Sequence, residues 1–287
     1  MTKTFPSLTQ GEIIKNDQIM KTFGCSGQGG MRRSLDTNTL VIVSNNVKSL
    51  YTNRWDGNTL HYTGMGAIGD QTLGTQNKTL AESHTNGVRV YLFEVFKERE
   101  YTFRGEVTLV DKPYKGRQND NDGNEREVWI FPIKVIDHEW SPSEDLIKNS
   151  MKKKEEKARS FSEAELLGLA GQAHSNPSKR AVMDKNVYVR DPYVKELSFK
   201  LAAGICQLCD SNAPFHDGKG KPFLESHHID WLSLGGADVI ENVIALCPNC
   251  HRKMHIVDNE KDVHKLKSRS KDLLDGLQRR LSPKKNR

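Results

Sequence analysis

The sequence predicts an α+β protein in two domains: a strand-rich N-terminal half and a small metal-stapled C-terminal module, joined by helices. Three observations carry this. At 287 residues the chain exceeds one typical domain. Residues 1–140 are rich in runs of β-branched and aromatic residues. Four of the five cysteines come late, as two C-x-x-C pairs.

Taken in order, the N-terminal strands are expected at Thr39–Ser44, Val88–Phe96, Tyr101–Val110 and Val128–Val135, each alternating or continuously apolar over strand length. Thr72–Ser83 reads as a helix between them. Lys115–Glu127 is polar throughout and reads as a loop at a hairpin tip. These elements place the first domain at residues 1–140. Composition then shifts: Ser143–Ala173 has helical character with a Lys/Glu run, read as a solvated face, and Ser175-Asn-Pro-Ser breaks it. Residues 141–185 are therefore a helical linker. A helix from about Pro192 to Ala203 opens the second module, residues 186–260, and residues 261–287 form a basic helical tail.

The formal net charge of +6 leans mildly toward polyanions and decides nothing alone. No apolar run approaches a membrane span, and Met1-Thr-Lys-Thr-Phe-Pro6 lacks a signal-peptide core. A cytoplasmic protein with no membrane partner is expected. In that compartment, Cys206/Cys209 and Cys247/Cys250 favour a tetrahedral structural Zn²⁺ over disulfides. Such an ion supplies on the order of 10–16 kcal/mol of apparent folding free energy to a small unit. Cys25 stands outside any motif.

Residues 210–246, between the two knuckles, have ββα character. Phe223–Ile229 reads as a strand, Asp230–Asp238 as a turn with a Gly235-Gly236 pivot, and Asn242–Leu246 as a second strand. Pro248 then opens a helix at its favoured first turn. On that helix His251 and His255 are four residues apart and share a face, while Cys250 points about 100° away from His251. One helix can thus serve the zinc on one side and a second metal on the other.

The text Cys206-x-x-Cys209, His227-His228, Asn242, Cys247-x-x-Cys250-His251 resembles the HNH nuclease family over about 60 residues. The resemblance implies that His228 is the general base and that His227 and His251 hold one catalytic divalent cation, Mg²⁺ or Mn²⁺. His255 matches a further ligand of colicin-type members. Asn242 would fix the loop that aims His228. Glu225 is open between a partner of this site and an exposed strand residue.

The N-terminal half carries a second set of motifs. These are Gly30-Met-Arg-Arg-Ser34, Tyr51-Thr-Asn-Arg-Trp-Asp-Gly57, His61-Tyr-Thr-Gly-Met-Gly66, Asp70-Gln-Thr-Leu73, Asn77-Lys-Thr-Leu80 and Gly87-Val-Arg-Val90. Their order and wording are similar to the SRA (SET- and RING-associated) domain, over roughly residues 20–135. That family implies an SRA-like curved sheet or barrel that binds duplex DNA and flips a modified cytosine between aromatic faces, where lost stacking is regained. Tyr62 and Tyr51 would be the walls, Asp56 the edge-reading carboxylate with Thr63 nearby, and Arg32 and Arg33 the backbone contacts. The family's usual Tyr-x-Asp-Asp run is replaced here by Tyr51-Thr-Asn-Arg-Trp-Asp56, so Asn53 and Trp55 stand beside Asp56 as candidates.

Together the motifs resemble SRA-HNH, McrA-type modification-dependent restriction endonucleases, with double-stranded DNA carrying 5-methylcytosine or 5-hydroxymethylcytosine as the expected partner. One HNH unit cuts one strand, so double-strand cleavage would need a homodimer. Two rivals stay open: a nuclease indifferent to modification, and a zinc-stabilised DNA-binding protein without catalysis.

Overall fold

The computed structural model describes residues 5–47, 53–120, 124–171, 178–182 and 185–282. In chain order it forms β1 (Ile13–Ile14), α1 (Asn16–Phe23), β2 (Met31–Ser34), β3 (Thr39–Asn45), β4 (Arg54–Gly57), β5 (Thr59–Thr63) and α2 (Thr75–Ala81). Then follow β6 (Arg89–Lys97), β7 (Glu100–Leu109), β8 (Tyr114–Asn119), β9 (Glu125–Val135), α3 (Glu144–Ala158), α4 (Glu163–Ala170), β10 (Ser178–Val182) and β11 (Lys185–Val189). The chain ends with α5 (Pro192–Ala202), β12 (Glu225–His228), β13 (Val243–Leu246), α6 (Pro248–Ile256) and α7 (Glu260–Leu281). It divides into two units, Met1–Lys154 with Ser178–Tyr188, and Glu155–Pro177 with Val189–Arg287.

The first unit is built on a mixed sheet ordered β11-β10-β4-β5-β9-β7-β6-β3-β2, with β1 added to β7 and β8 to β9. The order begins and ends on different strands, so the sheet is open and not a closed barrel. Apolar β3 pairs in parallel with β6, from Thr39↔Arg89 to Asn45↔Val95, and such central strands are buried on both faces. Alternation then sorts their side chains. Leu40, Ile42, Val90 and Leu92 join Leu60, Phe131 and Leu80 of α2 on one face. Val41, Tyr91 and Phe93 join Ile19 and Phe23 of α1 on the other. Register shifts between β6 and β7 bend the pair where Arg104 and Glu94 meet at 2.5 Å, both fully buried. Trp55 and Trp140 lie against the Arg104 guanidinium, at 5.5 and 5.0 Å from their ring centres.

Two expectations are corrected here. Lys115–Glu127 is mostly ladder rather than loop: β8 and β9 pair from Tyr114↔Ile130 to Asn119↔Glu125. The Lys115–Glu127 and Arg117–Glu125 cross-strand ion pairs, at 2.6 and 2.7 Å, explain how so polar a segment holds a strand. The stretch expected to be helical linker contains α3 and α4 but also β10 and β11, and β10 runs parallel to β4 with Lys179 opposite Asp56.

In the second unit Asp191 caps α5, its carboxylate accepting from the amides of Tyr193 and Val194. Antiparallel β12 and β13 pack beneath α5 and α6 around Leu224, Ile244, Leu246 and Met254. Helix α7 belongs to this packing and is not a free tail. Its Leu266 is buried in the same cluster, and Leu274 and Leu277 are buried with Leu166 of α4 and Val194 and Leu197 of α5. No helix among the described residues is long and apolar enough to cross a membrane.

Candidate active site

Two clusters of side chains in the second unit could each hold a metal ion. Cys206, Cys209, Cys247 and Cys250 bring their sulfurs within 4.8 Å of one another. The first knuckle is tied to β13 through Gln207, whose amide donates to the Ala245 carbonyl at 3.1 Å and whose side-chain oxygen accepts from the Ala245 amide at 2.9 Å. The second knuckle starts α6, where Cys247 Sγ accepts from the Cys250 amide. Amide and hydroxyl donation from Ser211 pulls the Cys209 thiol down to about 6, while burial pushes Cys247 and Cys250 up. Four crowded sulfurs that cannot all ionise alone are suited to a divalent cation, and the all-sulfur set fits zinc.

For the second cluster, strand alternation puts Glu225 and His227 on one face of β12 and Ser226 and His228 on the other. His227 faces α6, where His251 and His255 present themselves one turn apart. Ring centres of the three imidazoles lie 4.6–5.2 Å apart, and each offers a nitrogen within 4.8 Å of the others'. His227 is 1% exposed, and both of its ring nitrogens are buried without a hydrogen-bond partner. Burial, then the neighbouring histidines and Arg190, hold its pKa down to about 3, so the ring is a neutral donor. His251 Nδ1 meets Glu225 Oε2 at 2.6 Å, which leaves Nε2 as the coordinating atom. That Nε2 stands 3.0 Å from His255 Nε2. The orphaned buried nitrogens of His227 and the three-imidazole donor set fit a divalent cation.

His228, on the reverse face, is 8% exposed, and its Nε2 lies 2.8 Å from Asp238 Oδ1. The other Asp238 oxygen accepts from the Asp191 amide at 2.5 Å. Between them runs the loop 230–238, which Asn242 spans. Its Oδ1 accepts from the Asp230 amide, and its Nδ2 donates to the carbonyls of Asp230 and Ala237, all at 2.8–2.9 Å. The loop reverses at Gly235, φ +92°, and at Gly236 an added Cβ would sit 2.0 Å from the Asp230 carbonyl oxygen. Only glycine fits that pivot.

Asp238 is not singled out by the sequence because an Asp in the Gly235-Gly236-Ala237-Asp238 stretch reads as a turn residue. Its link to His228 is made by folding. Glu225, left open, is in contact with His251.

The N-terminal candidates are placed differently. Tyr51 lies outside the described residues. Tyr62 is 3% exposed within the core, its hydroxyl donating to the Gly30 carbonyl at 2.8 Å. Thr63 is buried, its hydroxyl accepting from Gln118 Nε2 and its amide donating to Asn53 Oδ1, both at 2.9 Å. Arg32 is buried, donating to the Gly29 carbonyl at 2.9 Å and to Asn16 Oδ1 at 2.7 Å. Arg33 braces the β2–β3 turn through Ser34, Thr39 and Asn38. Asp56 is exposed on β4, opposite Thr59, and Trp55 beside it is buried, donating to Glu94. The Tyr-Thr-Gly-x-Gly text builds a fixed loop. Asn77 receives the Met65 amide and donates to the Met65 carbonyl, and Gln71 donates to the Gly64 carbonyl. Arg126 donates to the Gly66 and Gly69 carbonyls.

Comparison with known proteins follows this division. The family model for the ScoMcrA-like SRA domain matches residues 10–154, and that for HNH endonuclease matches residues 206–256. The type IV methyl-directed restriction enzyme EcoKMcrA of Escherichia coli (strain K12) is 51% identical over 79 residues, 28% of this chain and 28% of that protein. The structure of the type IV phosphorothioation-dependent restriction endonuclease ScoMcrA aligns at 21% identity and a TM-score of 0.48, over 94% of this chain and 56% of its own. A complex of the SUVH5 SRA domain with methylated CHH DNA aligns over 47% of this chain and 92% of its own, at 21% identity and a TM-score of 0.36. The chain therefore spans little more than a quarter of the curated relative and just over half of the first structure. With half of its length matched by one model and the cysteine–histidine module by the other, the chain belongs to the ScoMcrA-like SRA domain family and joins that domain to an HNH endonuclease module.

Proposed function

We propose that this protein is a modification-dependent DNA endonuclease of the cytoplasm. In this reading the N-terminal unit selects duplexes carrying 5-methylcytosine or 5-hydroxymethylcytosine by base flipping, and the C-terminal unit hydrolyses the backbone. The single observation that carries the catalytic half is the convergence of His227, His251 and His255 at the end of a strand whose next residue, His228, is paired to a buried carboxylate.

The residues divide the work as follows. Asp238 accepts from His228 Nε2–H, which fixes the tautomer and leaves Nδ1 basic. His228 Nδ1 takes the proton of the attacking water; the water oxygen bonds to phosphorus as the bond to the 3′ oxygen breaks. His227, His251 and His255 would hold Mg²⁺ or Mn²⁺, with Glu225 orienting His251. A cation held there would supply neutralisation of the charge on the phosphate and on the leaving oxygen. Asn242 holds the 230–238 loop, and with it Asp238, in register with β12. The four cysteines hold Zn²⁺ as a staple without a chemical role. Since one such unit cuts one strand, double-strand cleavage requires two copies of the chain.

For the N-terminal unit, Asp56 is the exposed member of the proposed reading set, and Tyr51 completes it as a stacking wall. The buried Tyr62, Thr63 and Arg32, with the half-buried Arg33, act by holding that surface in shape. A second reading, a phosphorothioate reader, is raised by the match to the ScoMcrA-like SRA family, since ScoMcrA itself is phosphorothioation-dependent. Cleavage of matched duplexes decides among them: unmodified, 5-methylcytosine, 5-hydroxymethylcytosine and phosphorothioate, each with Mg²⁺ or Mn²⁺. Cutting confined to the cytosine-modified duplexes is expected. Equal cutting of all four removes the modified-base reader. Cutting of the phosphorothioate duplex alone replaces it. Binding without cutting removes the nuclease.

A further inference from the structure

Beside the histidine cluster the second unit has a cavity of about 380 Å³ that reaches from His251 and Glu225 to Lys195 and Lys221. Four cations line it, and their pairing differs. Lys195 is bound to Glu155 and Lys221 to Glu196, each at 2.8 Å. Arg159 and Arg190 are exposed and take part in no ion pair among the described residues. Of the two acids in the wall, Glu225 holds His251, and Asp217 accepts from the amides of Lys219 and Lys221 while also feeling the Arg159 charge. Both guanidinium groups nevertheless stay exposed in the cleft with no ion pair of their own among the described residues.

Arg190 lines the same cavity as His251, one of the three clustered histidines. Phe199, Pro222 and Phe223 add apolar surface to the lining. A ligand that suits it has anionic oxygens for the arginines and an apolar segment beside them. A guanidinium binds phosphate through two parallel N–H donors, which a lysine cannot do. Neighbouring phosphates on one strand recur every ~3.4 Å along the duplex axis, with a deoxyribose between them.

We infer that this cleft seats an uncut phosphodiester of the strand being cleaved, next to the one at the histidines, with Arg159 and Arg190 as its two anchors. The inference rests on the nuclease reading for the direction of the strand, though not for the anion site itself. Its contribution is grip and register, and it is indifferent to base modification, because phosphate contacts carry no sequence information.

The test is a salt titration of duplex binding by the full-length protein in Ca²⁺, on unmodified and 5-methylcytosine DNA. It compares the wild type with the double variant Arg159→Gln/Arg190→Gln, the charge-conserving Arg159→Lys/Arg190→Lys, and Arg279→Gln on the exposed face of α7. Losing the seat for this one phosphate is expected to flatten the slope of log affinity against log salt by about 1. Both duplexes should loosen by the same factor. The lysine pair should keep the slope, and Arg279→Gln should leave slope and affinity unchanged. Zinc content and melting temperature, measured alongside, should match the wild type in every variant. An unchanged slope in the glutamine pair, or an equal loss in Arg279→Gln, overturns the inference. Cleavage in Mg²⁺ is read separately. A wild type that never cuts, with the slope difference intact, removes the nuclease and keeps the phosphate seat; normal cutting with no slope difference does the reverse.

Discussion

His228 and Asp238 face each other 2.8 Å apart inside the second unit. His228→Ala is expected to lower cleavage by about 10²–10⁴-fold, the usual yield of a positioned base, with zinc content unchanged; full activity would remove the assignment. Asp238→Asn keeps the shape and lets an amide nitrogen face the imidazole, favouring the wrong tautomer. It should reduce kcat far more than KM; a change confined to KM would refute the positioning role. His227 makes a separate prediction about stability. Its folded pKa of about 3 lies below the ordinary imidazole value, so the unfolded chain binds a proton that the folded one refuses. The associated stability is present above the unfolded value and is lost as pH falls toward 3. Without added Mg²⁺ or Mn²⁺, the melting temperature should fall across that window more steeply in the wild type than in His227→Asn. Parallel curves would show that the ring is not buried neutral. Tyr62 is decided by its burial: Tyr62→Ala should cost about 3–5 kcal/mol, as large aromatic truncations in cores do. Loss of base discrimination at unaltered stability would contradict that placement.

At the level of elements, the cysteine cluster joins a knuckle tied to β13 with the start of α6, so with the proposed zinc there Cys206→Ala should abolish zinc uptake and lower the melting transition of the whole ββα unit. Unchanged metal content would disprove the four-sulfur site. This module was readable because its chemistry is local in sequence: C-x-x-C spacing, Pro248 at a helix start, and two histidines four residues apart all report on one turn of chain. The central strands β3, β6, β7 and β9 were readable for a similar reason, since long apolar runs have few alternatives. What escaped was made by partners distant in sequence. The β8 ladder is polar on its own and is held by ions from β9. Tyr62 looks like a ligand platform until Gly30 is brought to its hydroxyl, and Arg32 like a surface cation until Asn16 accepts from it. Asp238 reads as a turn until β12 swings His228 beside it. Side chains that close a hydrogen bond across 10 or more positions leave no periodic mark in the chain.

At the scale of the whole molecule, the two units share the polypeptide unequally: the chain enters the second unit after Lys154, returns to the first for Ser178–Tyr188, and leaves it again at Val189. The backbone therefore passes between the units three times, not once. A protease nick between residues 172 and 177 would leave one fragment with most of the first sheet plus α4, and another with β10, β11 and the nuclease core. Each piece would hold a part that the other's core requires, Leu166 being packed with Leu197 and Leu277. Nicked protein should consequently travel as one species through a sizing column and separate only in denaturant. No single cut in the backbone therefore yields the two units as separate fragments, and their isolation needs a rearranged chain order rather than a truncation.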